Sequence, residues 1–244
     1  MKIMVLSPCQ ISEARERETT LGLSSAPLAP DVELNYRGLR RGPAAVDYCY
    51  DEYVGVMEMV EKGVKAQEEG FDAIVINCAF NPAMEGLREL LDIPVVGAGL
   101  AAVHIASMLG DTFSIIDTGQ PHWPYARRVT AAAGLQDKLV SVRALNLTVS
   151  ELSGDHNLVL SRIVEVAVKA VEEDGAHVVV FGCTGMKRYA EELAEEMDRY
   201  GVPVVEPLSA ALSMAEALVR LKLKQSKVSY PKPPEKINLP TSNY

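Results

Sequence analysis

Two cysteines carry the strongest chemical signal in this sequence. Gly70-Phe-Asp-Ala-Ile-Val-Ile-Asn-Cys78 can be laid on Gly175-Ala-His-Val-Val-Val-Phe-Gly-Cys183 at a constant offset of 105 residues. In each copy a helix-stopping glycine precedes an apolar strand, and a thiol follows it. Further on, Leu91-Asp-Ile-Pro-Val-Val96 matches Tyr200-Gly-Val-Pro-Val-Val205 after a helix four residues longer in the second copy. A lone cysteine after a buried strand is ordinarily inert core. Two at mirrored places in a repeat are different, because a pseudo-twofold axis brings both to one cleft. Facing thiols suit inversion at a carbon: one removes a proton from one face and the other returns a proton to the opposite face.

The thiolate is the reactive form. Lowering a thiol from about 8.5 to about 7 takes roughly 2 kcal/mol. Each cysteine is followed by a turn expected to open a helix, Ala79-Phe80-Asn81-Pro82 and Thr184-Gly185-Met186. A helix N-terminus supplies about 0.3–2 kcal/mol of that preference.

The elements that position these thiols read as alternating strands and helices. Strands are predicted at residues 2–6, 32–36, 73–76, 95–96, 113–116, 139–142, 178–181 and 204–205. Several are β-branched runs without alternation, as in parallel strands buried on both faces. A helix is predicted from Pro43 to about Gly70, with Val46, Tyr50, Tyr53, Met57, Val60 and Val64 as its apolar stripe and Gly55 as a candidate break. Others run over about 98–109, 155–174, 186–200 and 207–221. The pattern gives an α/β fold of two pseudo-symmetric Rossmann-like lobes with mainly parallel sheets and a cleft between them. Gln225–Tyr244, rich in proline and lysine, reads as an extended arm, loosely attached or laid on a partner subunit.

Ligands bind at the C-terminal ends of parallel strands, so the turns there supply the candidate site. They contain Ser7, Pro8, Cys9 and Gln10 after the first strand, and Asn77, Ala79, Phe80 and Asn81 around Cys78. Asp117, Thr118 and Gly119 follow the first strand of the second half, Gly182, Thr184 and Gly185 flank Cys183, and Glu206 follows the last strand. Backbone N–H groups around residues 9–10, 79–81, 119–120 and 184–185 are candidate donors to an enolate oxygen. Glu206 also reads as an N-cap before Pro207. His122 and Trp123 are placed at the pocket edge, and Cys49 reads as a structural residue inside a helix.

The chain has 244 residues, with 24 Lys plus Arg against 33 Asp plus Glu, and a formal net charge of −9. That excess of acid argues against a nucleic-acid or anionic-membrane partner. The sequence has no apolar run long enough to span a bilayer and no signal-peptide core at its start, so a cytoplasmic location is expected. Its four cysteines lack zinc-site spacing, so no metal is expected.

Several of these segments resemble the aspartate/glutamate/hydantoin racemase superfamily. They are Gly42-Pro43-Ala44, Tyr50-Asp51-Glu52, Gly70 to Cys78, Asp92 to Gly97, Phe113 to Ile116 and Phe181 to Met186. The resemblance spans most of residues 1–223 and is nearest to hydantoin racemases. It implies cofactor-independent racemisation with Cys78 and Cys183 as the two bases. It also implies a final helix returning to the first lobe, which would then comprise residues 1–97 plus 207–223, with 98–206 as the second lobe and 224–244 as the arm. Family members often assemble, so a homo-oligomer acting on a small molecule is expected. Two turns depart from the family: Ser7-Pro8-Cys9-Gln10 replaces the usual Asn-Pro-Asn-Thr, and Asp117-Thr118-Gly119-Gln120 replaces a pair of threonines. No Arg or Lys lies in the four turns, which favours a hydantoin or amino-acid derivative over aspartate or glutamate. An aspartate/glutamate racemase, a cis-trans isomerase or decarboxylase on the same scaffold, and a non-catalytic small-molecule-binding protein remain as alternatives.

Overall fold

The computed structural model describes residues 1–23, 26, 28–119 and 123–234; for Trp123 only the backbone is described. The eight predicted strands are all present, several of them longer than their apolar runs. β1 (Lys2–Gln10), β2 (Glu33–Leu39), β3 (Ala73–Ile76) and β4 (Val95–Gly97) form one parallel sheet in the order β2-β1-β3-β4. β5 (Phe113–Asp117), β6 (Leu139–Ala144), β7 (Val179–Phe181) and β8 (Val204–Val205) form a second, in the order β6-β5-β7-β8. The repeat seen in sequence is therefore a repeat of topology. In each sheet the order of strand addition reverses between the first and third strands, and that switch point is where a parallel sheet opens a crevice.

The helices are α1 (Glu13–Gly22), α2 (Cys49–Glu68), α3 (Met84–Leu90), α4 (Ala98–Leu109), α5 (Trp123–Ala132), α6 (His156–Glu172), α7 (Ala190–Asp198) and α8 (Pro207–Arg220). One core joins both sheets: Ile3, Val5 and Val75 of the first and Phe113, Ile115 and Val180 of the second pack with α4 and α8. Those two helices pack together, and each buries alanines in this core, Ala101, Ala102 and Ala106 on one and Ala210, Ala211 and Ala215 on the other. Two outer cores back the sheets, with α2 and α3 behind the first and α6 and α7 behind the second. α8 packs on β3 and β4 as well as on α4.

Several expectations are corrected. α2 starts at Cys49 rather than near Pro43, because Asp51 Oδ2 accepts the Asp47 and Tyr48 N–H groups at 3.0 and 2.9 Å and fixes the helix start there. Cys49 thus opens the helix instead of lying inside it. Only part of the predicted stripe faces the core: Tyr50, Tyr53 and Met57 are 74%, 72% and 62% exposed, Val64 packs against the core, and the buried positions of the helix are Gly55, Met59, Gly63 and Ala66. Small residues bring the helix close to the sheet. A Cβ on Gly55 would lie 2.7 Å from Leu39 Cδ1 and 3.1 Å from the Pro8 carbonyl, so this glycine is a point of close approach and not a break. The predicted helix 186–200 is in fact a 3-10 segment, Thr184–Tyr189, followed by α7.

The start of the arm is not loose. Gln225 Oε1 accepts the Val95 N–H at 3.0 Å, and Gln225 Nε2 donates to the Val95 carbonyl at 3.2 Å. Lys227 Nζ donates to the carbonyls of Arg88, Glu89 and Leu91. Arg88 Nη1 donates to Tyr230 Oη at 3.0 Å. No helix among the described residues is long and apolar enough to cross a membrane.

Candidate active site

The strand ends of the two sheets enclose a cavity of about 210 Å³, lined by residues of both. From the first half come Ser7, Pro8, Cys9, Asn77, Cys78, Ala79 and Phe80; from the second come Asp117, Gly182, Cys183, Thr184 and Gly185. At about 30 Å³ per water this is room for roughly seven waters, hence a small molecule. Both thiols are free and line the same space.

Cys78 is held by a staked turn. Asn81 has a left-handed backbone (φ 58°), and its Oδ1 accepts the Gly99 and Leu100 N–H groups at 3.0 and 3.3 Å. The side chain thereby caps α4. A Cβ on Gly99 would collide with the Ala79 carbonyl, so only glycine lets that turn rest on the helix start. On the other wall Cys183 opens the 3-10 segment, its sulfur accepting the Gly185 N–H at 3.4 Å. The Thr184 hydroxyl donates to the Asn77 carbonyl at 3.4 Å and ties the walls together. The Val149 N–H donates to Asp47 Oδ1 at 3.1 Å, a second tie between the lobes.

The expected lowering of the thiol pKa values is not found. Burial pushes Cys78 well above its ordinary value, with Cys183, Cys9 and Glu52 adding to the rise and the Phe80 N–H opposing it. Burial also pushes Cys183 up to about 12, followed by the negative charge of Asp117, against the Gly185 N–H. The reason is geometric. α3 begins only at Met84, well beyond Cys78, and Cys183 meets a 3-10 turn rather than an α-helix terminus. Desolvation of an anion outweighs a single N–H. Cys9 is likewise raised by burial, against hydrogen bonds from Ser7 and the Val46 backbone.

Five expected site residues do not line the cavity. The Gln10 side chain turns away and donates to the Arg40 carbonyl at 3.1 Å. Asn81 caps α4. Thr118 is fully buried, its N–H donating to Asp117 Oδ1 at 2.7 Å, and neither it nor Gly119 contributes to the lining. Glu206 caps α8 with both oxygens, accepting the Leu208 N–H at 2.7 Å, the Ser209 N–H at 2.8 Å and the Ser209 hydroxyl at 2.7 Å. Of the expected backbone donors, Cys9 N–H is engaged by Ser7 Oγ, Gln10 N–H by the Pro43 carbonyl and Asn81 N–H by the Cys78 carbonyl. Gln120, His122 and the Trp123 side chain lie outside what the structure describes.

Sequence reasoning missed Tyr36, Val46 and Val149, which also line the cavity. Tyr36 is on β2, Val46 in the loop after it, and Val149 in the loop after β6, the equivalent strand. Extending the repeat to the second strand of each half would have pointed to both loops. Tyr36 is buried, and its hydroxyl accepts a hydrogen bond from Asn77 Nδ2 at 3.3 Å.

A doubled parallel sheet with a thiol at each switch point defines a class, and the sequence comparison agrees. Residues 19–215 match the Asp/Glu/Hydantoin racemase family, and the chain belongs to that family; it is a racemase, an isomerase. It is 34% identical over 238 residues to a hydantoin racemase of Paenarthrobacter aurescens, covering 97% of this chain and 99% of that one. Among solved structures it is similar to an allantoin racemase from Klebsiella pneumoniae, at 30% identity and TM-score 0.88, covering 97% of this chain and 95% of the other. An allantoin racemase from Pseudomonas fluorescens gives 34% identity and TM-score 0.85, with 97% and 99% covered.

Proposed function

We propose that this racemase inverts the carbon between a ring nitrogen and a carbonyl in a hydantoin-like cyclic ureide, using Cys78 and Cys183 as the two bases. The observation that carries the reading is the opening of both thiols into one cavity from different sheets. One sulfur, as thiolate, takes the proton from one face of the carbon. The electron pair moves onto the neighbouring carbonyl oxygen, and the other sulfur, as thiol, delivers a proton to the opposite face. The pair ends as thiol and thiolate with the roles exchanged, so the reverse direction needs no new group. The Ala79 and Thr184 N–H groups, one beside each thiol, are the donors proposed for the enolate oxygen.

The cavity lining supports a neutral substrate. Among the described residues no Lys or Arg lines it, whereas Asp117 does. A substrate carboxylate would find no Lys or Arg among those lining residues to pair with. A hydantoin brings no net charge, and its ring stabilises the carbanion better than a free amino acid does.

The test is incubation of single enantiomers of 5-substituted hydantoins, aspartate and glutamate in heavy water. Loss of optical rotation with deuterium appearing at the inverted carbon of a hydantoin, and not of the amino acids, is the expected result. Turnover of the amino acids instead would overturn the substrate class.

A further inference from the structure

Asn77 and Asp117 face the substrate problem from opposite walls. Asn77 directly precedes Cys78 and lines the cavity. Its Nδ2 donates to Tyr36 Oη, while its Oδ1 is buried with no hydrogen-bond partner. Buried carbonyl oxygens are nearly always paired, so one left open in a cavity-lining residue calls for a donor from elsewhere. The amide torsion of asparagine is soft, so a small rotation presents that oxygen to a bound molecule. The hydroxyl of Tyr36, itself in the lining, accepts from Nδ2, which leaves Oδ1 as the end of the amide without a partner. On the facing wall Asp117 adds a carboxylate, an acceptor when ionised. The cleft thus carries acceptors on both walls and, among the described residues, no side-chain cation.

Resting on the reading above, we infer that Asn77 Oδ1 accepts the ring N–H flanking the reacting carbon, and that Tyr36 is the positioning residue that turns the amide for it. Adjacency decides which N–H is meant. Cys78 must reach the carbon, so the acceptor next to it in the chain meets the nitrogen bonded to that carbon. Asn77 thereby selects substrates that donate at this position. The equivalent place in the second half is Gly182, so the selection is one-sided.

The experiment compares a 5-substituted hydantoin with its N1-methyl derivative in the wild type, Asn77→Ala and Tyr36→Phe. A site built around a hydrogen bond rejects an analogue that lacks the donor strongly. The wild type is expected to prefer the parent by at least about 100-fold in kcat/KM, Asn77→Ala by less than about 10-fold, and Tyr36→Phe by an intermediate ratio. A merely structural Asn77 would lower activity on both compounds and leave the ratio unchanged, which overturns the inference. An undiscriminating wild type overturns it as well. Calorimetric binding of the same two compounds to the three proteins, with melting temperatures to confirm folding, gives a readout independent of turnover. If no hydantoin is racemised, the functional reading falls. The inference still stands or falls on whether the wild type binds the parent more tightly than the methylated ring, and on whether Asn77→Ala removes the difference.

Discussion

The two walls of the cleft occupy equivalent places in the repeat and are built differently. Ser7 lies within β1 and Asn77 follows β3; their counterparts in the second half are Asp117, the last residue of β5, and Gly182, after β7. The first wall is a chain of neutral hydrogen-bonding groups, in which Asn77 donates to Tyr36 and the Cys9 N–H to Ser7 Oγ. The second wall places a carboxylate beside its thiol, and Gly182 makes room for it: a Cβ there would lie 2.6 Å from Asp117 Cγ. Symmetry of the backbone therefore does not give symmetry of the field. The two sulfurs meet different electrostatics, and in the mechanism proposed the two halves of a racemisation need not be equally fast.

The largest effect that would break this comparison comes from removing each thiol. Cys78→Ala and Cys183→Ala are each expected to lose racemisation by about 1000-fold or more, in line with loss of a general acid–base group. Each should still wash deuterium into one enantiomer without inverting it, because one base can remove and return a proton on its own face. The two variants should prefer opposite enantiomers; mass spectrometry of recovered single enantiomers checks this, and a shared preference would refute the facing arrangement.

A smaller effect sharpens the contrast. Asp117→Asn takes away the charge that helps hold Cys183 at about 12. The thiolate is then easier to form, so alkylation of Cys183 at pH 9 should quicken several-fold while Cys78 changes little, as followed by peptide mapping. In the wild type both thiols are raised, so the singly ionised pair grows with alkalinity and kcat/KM should still be climbing at pH 9.

The smallest effect concerns Glu52, near the first wall. Its Oε1 is buried without a hydrogen-bond partner, and burial holds its carboxyl at about 7, against the attraction of Arg128. A pKa raised on folding lends stability that is full below the unfolded value near 4.5 and is lost as the pH climbs through about 7. Glu52→Gln avoids that loss. It should melt higher than the wild type at pH 8, by on the order of 1 kcal/mol after solvent screening, with the gap closing by pH 4 in calorimetric scans.

The sheets were legible in the sequence because each parallel strand is an unbroken apolar run, and the thiols because the repeat singles them out. The face of α2 was not. Its large residues recur at helical spacing, but so do Gly55, Met59, Gly63 and Ala66, and the close approach to the sheet that the two glycines and Ala66 permit decided for the second set. Glu206 was misplaced because a carboxylate before Pro207 suits a ligand or a cap equally well, and three donors of α8 claim it. Tyr36, Val46 and Val149 escaped because the repeat was followed through the thiol-bearing strands and not through the second strand of each half, which the topology makes equivalent. The thiol pKa values were misjudged because spacing cannot show how much protein surrounds a sulfur.

The grip of Gln225 on Val95 has a consequence away from the cleft. β4 is the outermost strand on its side of the first sheet, and unpaired main-chain groups on such a strand invite another polypeptide to extend the ladder. One glutamine amide occupies both groups of Val95, acting as a one-residue stand-in for a ninth strand. At Val95 the arm thus covers the open edge of the first sheet and leaves another strand no free main-chain group to pair with there.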